Sequence, residues 1–116
     1  MELTRSVPQN ISAEQATLGS ILLEKDSILN CIEILQWEDF YKSAHQIIYK
    51  CALELFEKNQ AVDLVTLTEE LQKKKQLDEV GGASYLATLM SSVPTAANVF
   101  YYARIVEEKA ILRKLI

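Results

Sequence analysis

The sequence predicts an all-α protein, a compact bundle of about six helices with a longer C-terminal helix. Apolar residues recur at helical spacing through most of the chain. The 116 residues include only three Gly and two Pro, so long irregular segments are not expected. The one alternating segment, Val62–Val65, is four residues long and has no second strand to pair with, so we interpret it as a connector.

Composition narrows the possible functions. A chain of 116 residues with about half its residues apolar is one domain with a real core. The formal net charge is -4, so direct binding to nucleic acid is not expected. No apolar segment is long enough to cross a membrane, and the N-terminus lacks the apolar core of a signal peptide. Cys31 and Cys51 lie in apolar helical patterns, which favours buried thiols in a reduced, cytoplasmic protein.

The first two helices follow a polar lead-in. Residues 1–10 are expected to be flexible, and Ser12 with Gln15 forms a capping-box pattern that would start the first helix. Gly19 lies inside that helix at a cost in helix propensity, which suggests that another backbone passes close by. A short second helix is predicted over 26–35, with Asp26 or Ser27 as its N-cap.

The middle of the chain predicts two further helices. The aromatic turn 37–41 is expected to fold onto the core, and the strongest helix follows over 43–58. This helix has one wide apolar stripe, formed by Ala44, Ile47, Ile48, Cys51, Ala52, Leu55 and Phe56. Thr66 with Glu69 is a second capping-box pattern, which predicts a helix from Thr66 to about Lys75.

The last third of the chain predicts a reversal and two helices. Gly81 and Gly82 would allow the chain to turn in backbone regions that other residues avoid. A helix is predicted over 83–91, a break at Pro94, and a final helix beginning at Ala97 or Asn98. We therefore divide the chain into the lead-in, a bundle over 11–95 and a C-terminal helix over 96–116.

The final helix carries two apolar stripes. The inner stripe has the spacing of a face packed on a core, and it consists of Val99, Tyr102, Ala103, Val106 and Ala110. The outer stripe is rotated away from the first, and it consists of Tyr101, Ile105, Leu112 and Ile116. A helix at the end of a small domain needs one buried face, so the outer stripe predicts a second partner, either more chain or another subunit.

The residues give little support for catalysis or a cofactor. His45 is the sole histidine and has no ligands at metal spacing, so we interpret it as structural, bonded to backbone or half exposed. The sequence has neither G-x-x-x-x-G-K-[ST] nor G-x-G-x-x-G, and adjacent acidic pairs are expected to be solvated or capping. The basic run Lys73–Lys75 is typical of a solvated helix end, with a contact to nucleic acid or an acidic partner as the alternative.

Several segments, taken in order from residue 8 to 116, resemble DnaB-type bacterial replicative helicases. They are Pro8–Ile11, Ala13–Ala16, Leu18–Ser20, Glu38–Tyr41 with His45 and Ile48–Tyr49 following, Val62–Leu67, Leu77–Leu86, Val93–Val99, Tyr101–Val106 and Leu112–Ile116. The resemblance implies the all-helical N-terminal domain of a ring-shaped hexamer that moves along single-stranded DNA using ATP. Such domains form a collar of paired subunits and dock the C-terminal domain of primase, and a helicase loader is a further possible partner.

The resemblance also implies what this chain lacks. In the family, a helical hairpin follows the bundle, and the motor domain with its ATP and Mg²⁺ sites comes later. Residues 96–116 then correspond to the first arm of the hairpin, truncated at Ile116. We expect no catalytic residue, cofactor or metal in this domain. The predicted partner-contact residues are Tyr85, Tyr101, Ile105, Leu112 and Ile116.

Two other functions remain open from the sequence. One is a free-standing helical adaptor of similar fold, because bundle shape does not separate it from a helicase domain. The other is a helical nucleic-acid-binding module, which the acidic charge disfavours.

Overall fold

The computed structural model describes residues 7–116, and this part of the chain is all-α without strands. Six helices and one 3₁₀ turn follow each other, which confirms the predicted fold class: α1 Ile11–Leu23, α2 Ser27–Ile32, the 3₁₀ turn Trp37–Asp39, α3 Ser43–Glu57, α4 Leu64–Lys73, α5 Gly82–Met90 and α6 Val99–Lys114. Most of the predicted flexible lead-in, residues 1–6, lies outside the described residues.

Helix α1 is the centre of the bundle. It packs against α2, α3, α5 and α6, and from Thr17 to Leu22 every residue is buried. Burial on all sides places two hydroxyl groups in the interior, and both donate back along the helix. Thr17 donates to the carbonyl of Ala13 at 2.7 Å, and Ser20 donates to the carbonyl of Ala16 at 2.8 Å. The buried polar atoms of α1 are thereby satisfied.

Gly19 allows α1 and α5 to approach closely, as predicted. A Cβ atom at this position would lie 2.0 Å from the carbonyl oxygen of Leu89 and 2.8 Å from the hydroxyl of Ser92. The first distance is much shorter than a van der Waals contact, and the carbonyl of Leu89 belongs to the backbone, so it cannot rotate away as a side chain could. The residue at this crossing therefore has to be glycine.

Two helices begin earlier than their capping-box patterns predicted. Ser12 is not the N-cap of α1, because the side chain of Asn10 accepts from the backbone N–H of Ala13 at 2.9 Å. Thr66 is not the N-cap of α4 either. Asp63 accepts from the N–H of Thr66 at 2.9 Å, and the hydroxyl of Thr66 accepts from the N–H of Asp63 at 2.9 Å. A capping box is therefore present, but its N-cap lies three residues before the predicted one. Leu64 and Val65, which we predicted to be part of a connector, belong to α4.

Other boundaries also differ from the predictions. The second helix ends at Ile32 rather than residue 35, although Leu35 is buried and its carbonyl accepts from the hydroxyl of Tyr49 at 3.1 Å. The Gly81–Gly82 reversal is confirmed, with φ of 111° and 78°. In the aromatic turn Phe40 is fully buried against Tyr49, with ring centroids 5.0 Å apart.

Both cysteines are free and buried, as predicted. Burial raises the pKa of the Cys31 thiol to about 12 and also raises the pKa of Cys51. Because the thiolate is the reactive form, we expect iodoacetamide at pH 8 to label Cys31 only when the domain opens. Mass spectrometry should show labelling at least about a hundredfold slower than in guanidinium chloride, where both thiols are exposed. Equal rates in the two conditions would contradict the burial of Cys31.

Candidate partner interface on the last helix

The inner stripe of α6 is buried against α1 and α2. Val99, Ala103, Val106 and Ala110 are between 0% and 4% exposed, and Tyr102 is half-buried. Ala103 is completely enclosed, which fits its small side chain at a close helix crossing. This stripe attaches α6 to the bundle, as the spacing predicted.

The outer stripe is exposed to solvent along the whole helix. The exposed fractions of Tyr101, Ile105, Leu112 and Ile116 are 67%, 36%, 39% and 83%. Residues 7–116 therefore do not cover this face. Tyr101, Ile105 and Leu112 lie on α6, and Ile116 follows two residues after its end at Lys114. A row of large exposed apolar side chains of this kind is typical of a surface that another element covers.

Three apolar side chains on α6 extend the exposed surface beyond the prediction. Phe100, Ile111 and Leu115 are 44%, 50% and 76% exposed. Ile111 and Leu115 are four residues apart, and that spacing could have revealed them. Together with Leu112 and Ile116 they make the C-terminal end of α6 and the two residues after it apolar on more than one side, so one flat contact would not cover them.

Arg113 holds the C-terminal end of α6 against the bundle. It continues the phase of the inner stripe, three residues after Ala110, and it is partly buried. Its two terminal nitrogens donate to the carbonyls of Pro8 at 2.9 Å and Asp39 at 2.6 Å. A guanidinium with its fixed fork of donors can satisfy two carbonyls at once, which fixes the direction of the helix end.

Tyr85, the remaining predicted contact residue, belongs to a buried polar network between three helices. His45 lies at its centre and is fully buried. Its Nδ1 is 2.7 Å from a carboxylate oxygen of Glu14, and its Nε2 is 2.7 Å from the hydroxyl of Tyr85. The Tyr85 hydroxyl also accepts from the amide of Gln15 at 3.2 Å. Tyr85 itself is half-buried, and its ring is parallel to the imidazole.

The network corrects the interpretation of His45. The residue is structural, but it is neither bonded to backbone through its ring nor half exposed. Its partners are two side chains, supplied by α1 and α5. A neutral ring that donates from Nδ1 to the carboxylate and accepts at Nε2 from Tyr85 satisfies every donor and acceptor in the chain of contacts.

Glu14 is the residue that the sequence reasoning missed. It is 1% exposed, and besides His45 it accepts from the backbone N–H of Tyr41 at 2.7 Å and of Lys42 at 3.4 Å. These groups lie at the start of α3, whose N-cap Lys42 supplies no capping side chain. A carboxylate from α1 therefore fixes the two residues that precede α3, close to the helix N-terminus where the helix dipole favours negative charge. Its position four residues before Leu18 and seven before Ile21 was a signal of burial.

Other candidate features are weaker. In the basic run, Lys74 pairs with Glu54, while Lys75 adopts φ 60° just beyond the end of α4. Within residues 7–116 no cluster of three metal-ligating side chains occurs. No helix in this part of the chain combines the length and apolar character needed to cross a membrane.

The comparison with protein families identifies the domain. The model described as "DnaB-like helicase N terminal domain" matches residues 6–108. The chain belongs to this family. The family match covers the core of the bundle with Glu14, His45 and Tyr85, and it extends along α6 as far as Glu108. The family is the one that the resemblance in the sequence implied.

Curated relatives of this DnaB-like domain are replicative helicases. The chain is 54% identical over 112 residues to "Replicative DNA helicase DnaB" of Geobacillus stearothermophilus and to "Replicative DNA helicase DnaC" of Bacillus subtilis. It is 49% identical to the protein named DnaB in Mycobacterium leprae. Each alignment covers 97% of this chain, but the chain spans 25%, 25% and 18% of those relatives.

Solved structures share the fold of this DnaB-like domain. The crystal structure of the N-terminal domain of DnaB helicase from Mycobacterium tuberculosis matches with a TM-score of 0.93 and 49% identity, over 95% of this chain and 76% of that one. A DnaB-like replicative helicase, described together with its interactions with primase, matches with a TM-score of 0.81 and 34% identity. That match covers 90% of this chain and 25% of the helicase.

Proposed function

We propose that this domain is the non-catalytic collar part of a hexameric replicative DNA helicase, where it mediates subunit pairing and the docking of primase. The observation that carries the proposal is the outer stripe of α6, which is exposed although four of the five residues of the inner stripe are buried. A collar needs a surface that is open in one domain and covered in the ring. The outer stripe has that character, because its four residues are large, apolar and unused by the bundle, with Glu108 between Ile105 and Leu112 on the same face.

Subunit pairing would use the length of the outer stripe. Tyr101 and Ile105 lie near the start of α6, and Leu112 and Ile116 lie near its end, so a helix packed along this face would cover all four. The covering helix is the second arm of the family's hairpin or a neighbouring subunit. The additional exposure of Ile111 and Leu115 favours contact with more than one helix in a trimer of dimers.

Primase docking is proposed for Tyr85 and for the C-terminal end of α6. A half-buried tyrosine is a common anchor at interfaces, because its ring supplies area at low cost in conformational entropy. The hydroxyl of Tyr85 is held by His45, and a Cβ atom on Gly81 would lie only 2.8 Å from the Cβ of Tyr85, so the backbone at Gly81 packs closely against this side chain. The related helicase described with its interactions with primase supports this choice of partner.

The remaining features of the proposed function follow from the family. ATP and Mg²⁺ would bind in the motor domain rather than here, and the chain would act in the cytoplasm. A helicase loader is a further possible partner. Direct DNA binding by this domain is not part of the proposal, in keeping with its net charge of -4.

Replacing apolar residues of the outer stripe by aspartate tests this function. We expect Ile105→Asp and Ile116→Asp to weaken hexamer formation or primase binding by the full-length helicase at least about tenfold, because an interface that buries an unpaired carboxylate loses several kcal/mol. Sedimentation over a concentration series reports assembly, and a pull-down with primase reports docking. Helical content by circular dichroism should stay unchanged.

Val65→Asp is the matched control. Val65 is 76% exposed on α4, away from the outer stripe, so the same substitution should affect neither assembly nor primase binding. Unchanged assembly and unchanged primase affinity in both α6 variants would contradict the proposed role of the outer stripe.

A further inference from the structure

We propose that residues 39–42 couple the C-terminal end of α6 to Tyr85, so that a change in the contacts of one is transmitted to the other. These residues, called here the bridge segment, run from the last residue of the 3₁₀ turn to the residue before α3. Among residues 7–116 no hydrogen bond or ring contact joins Arg113 to Tyr85 directly. Both side chains are instead connected to the bridge segment, from opposite ends.

Arg113 attaches the end of α6 to the start of the bridge segment. One guanidinium nitrogen donates to the carbonyl of Asp39 at 2.6 Å, and the guanidinium lies 5.5 Å from the ring centre of Tyr41. The other nitrogen donates to the carbonyl of Pro8 at 2.9 Å. The other side chains from Ile111 to Leu115 are exposed, so the last turn of α6 depends on this arginine for its position.

Glu14 attaches the end of the bridge segment to the buried network. Its carboxylate accepts from the N–H of Tyr41 at 2.7 Å and of Lys42 at 3.4 Å, and it is 2.7 Å from Nδ1 of His45. The other ring nitrogen of His45 is 2.7 Å from the hydroxyl of Tyr85. The ammonium of Lys42 also lies 4.9 Å from the ring centre of Tyr85. Two connections therefore lead from the bridge segment to Tyr85, one buried and one at the surface.

The bridge segment is anchored along its length. Phe40 is fully buried, and its carbonyl accepts from the amide of Gln46 at 2.7 Å. The carboxylate of Asp39 accepts from the N–H of Gln36 at 2.8 Å. A segment held in this way does not absorb a displacement by local rearrangement, because close-packed interiors transmit strain. Contiguous hydrogen bonds and packed side chains can carry energetic coupling between distant sites.

The coupling concerns the two contact surfaces of the proposed function, and its biological role rests on that proposal. A partner that covers the end of α6 and holds Arg113 in place would stabilise the position of Tyr85. Since coupling between two sites is reciprocal, a partner bound at Tyr85 would stabilise the end of α6 by the same factor. The coupling itself is measured on this chain alone, without primase or other subunits, so its failure would leave the proposed function standing.

A double-mutant cycle in urea unfolding tests the coupling. The variants are Arg113→Gln, Tyr85→Phe and the combination of the two. We expect the combined change in the unfolding equilibrium constant to be at least about fivefold smaller than the product of the two single changes, because each substitution weakens contacts on which the other residue depends. Effects that simply multiply would overturn the inference.

Arg104→Gln with Tyr85→Phe is the matched control cycle. Arg104 is an exposed arginine on the same helix, and its Nε is 3.4 Å from the carboxylate of Glu107 rather than bonded to the bridge segment. The two effects should multiply in this cycle, because distant residues without shared partners act independently. Departure from the product by the same factor as in the Arg113 cycle would contradict the inference.

Amide hydrogen exchange in Tyr85→Phe shows where the coupling acts. We expect the amides of residues 112–114 to exchange at least about threefold faster than in the parent chain, relative to the amide of the buried Ile21 in α1. Unchanged relative exchange at the end of α6 would contradict the inference. So would an equal acceleration at Ala103, because α6 would then be loosened throughout rather than at the end that Arg113 holds.

Discussion

Ala103→Asp is expected to unfold the domain. The side chain of Ala103 is completely buried where α6 packs on the bundle, and its buried neighbours on the inner stripe, Val99 and Val106, are apolar. Burying an unpaired carboxylate and enlarging the side chain in a close helix crossing together cost several kcal/mol. That cost is comparable to the total stability of a small domain, about 5–15 kcal/mol. Circular dichroism should show loss of helix or a fall of at least about 15 °C in Tm.

Ile105→Asp in the isolated chain is the matched control for this prediction. It places the same residue type two positions along the same helix, so helix propensity is equally affected. Ile105 is 36% exposed on the outer stripe, and its replacement should change Tm by only a few degrees. Similar loss of stability in both variants would mean that the two faces of α6 do not differ as the structure indicates.

Glu14→Gln is expected to have the second largest effect on stability. The substitution preserves the shape of the side chain. It replaces a carboxylate, which accepts hydrogen bonds from the backbone of Tyr41 and Lys42 and from His45, by an amide with only one accepting oxygen. A buried donor that loses a charged acceptor loses about 1.5–3 kcal/mol, so we expect the free energy of unfolding to fall by about 2–4 kcal/mol. Urea unfolding measures this change, and Glu24→Gln, an exposed carboxylate at the end of α1, should be nearly neutral.

The same network predicts the tautomer of His45. The proton should lie on Nδ1, which faces the carboxylate, and Nε2 should accept from Tyr85. Long-range ¹⁵N–¹H NMR distinguishes the two ring nitrogens directly. A protonated Nε2 with a bare Nδ1 would contradict the direction of hydrogen bonding on which the Glu14 prediction rests.

Periodicity made the fold and both faces of α6 predictable. The inner and outer stripes repeat at helical spacing within one segment, so no knowledge of other elements was needed. Gly19 was predictable for a related reason, since a glycine inside a helix costs stability and usually marks a close approach. The structure confirms that approach at the carbonyl of Leu89.

The starts of α1 and α4 were less predictable because two nearby residues in each case could serve as the N-cap. The buried network was less predictable because its members are far apart in the sequence. Asn10 and Ser12 are both good N-caps, as are Asp63 and Thr66, and local preference does not choose between them. The spacing of Glu14 from Leu18 and Ile21 indicated a buried face, but its bonding partners at Tyr41, Lys42 and His45 are distant in the chain and could not be predicted from its neighbours. Arg113 shares the phase of the inner stripe, but its carbonyl partners lie 105 and 74 residues away.

The central claim is that the exposed apolar surface of α6 is covered by another helix or subunit in the assembled protein. Hydroxyl-radical footprinting tests this claim most directly. The proposed hexameric helicase assembly is compared with this chain alone. We predict that Tyr101, Ile105, Leu112 and Ile116 are labelled several-fold more slowly in the intact assembly, while the exposed Val65 on α4 is labelled equally in both. Equal labelling of the four outer-stripe residues in the two samples would contradict the claim.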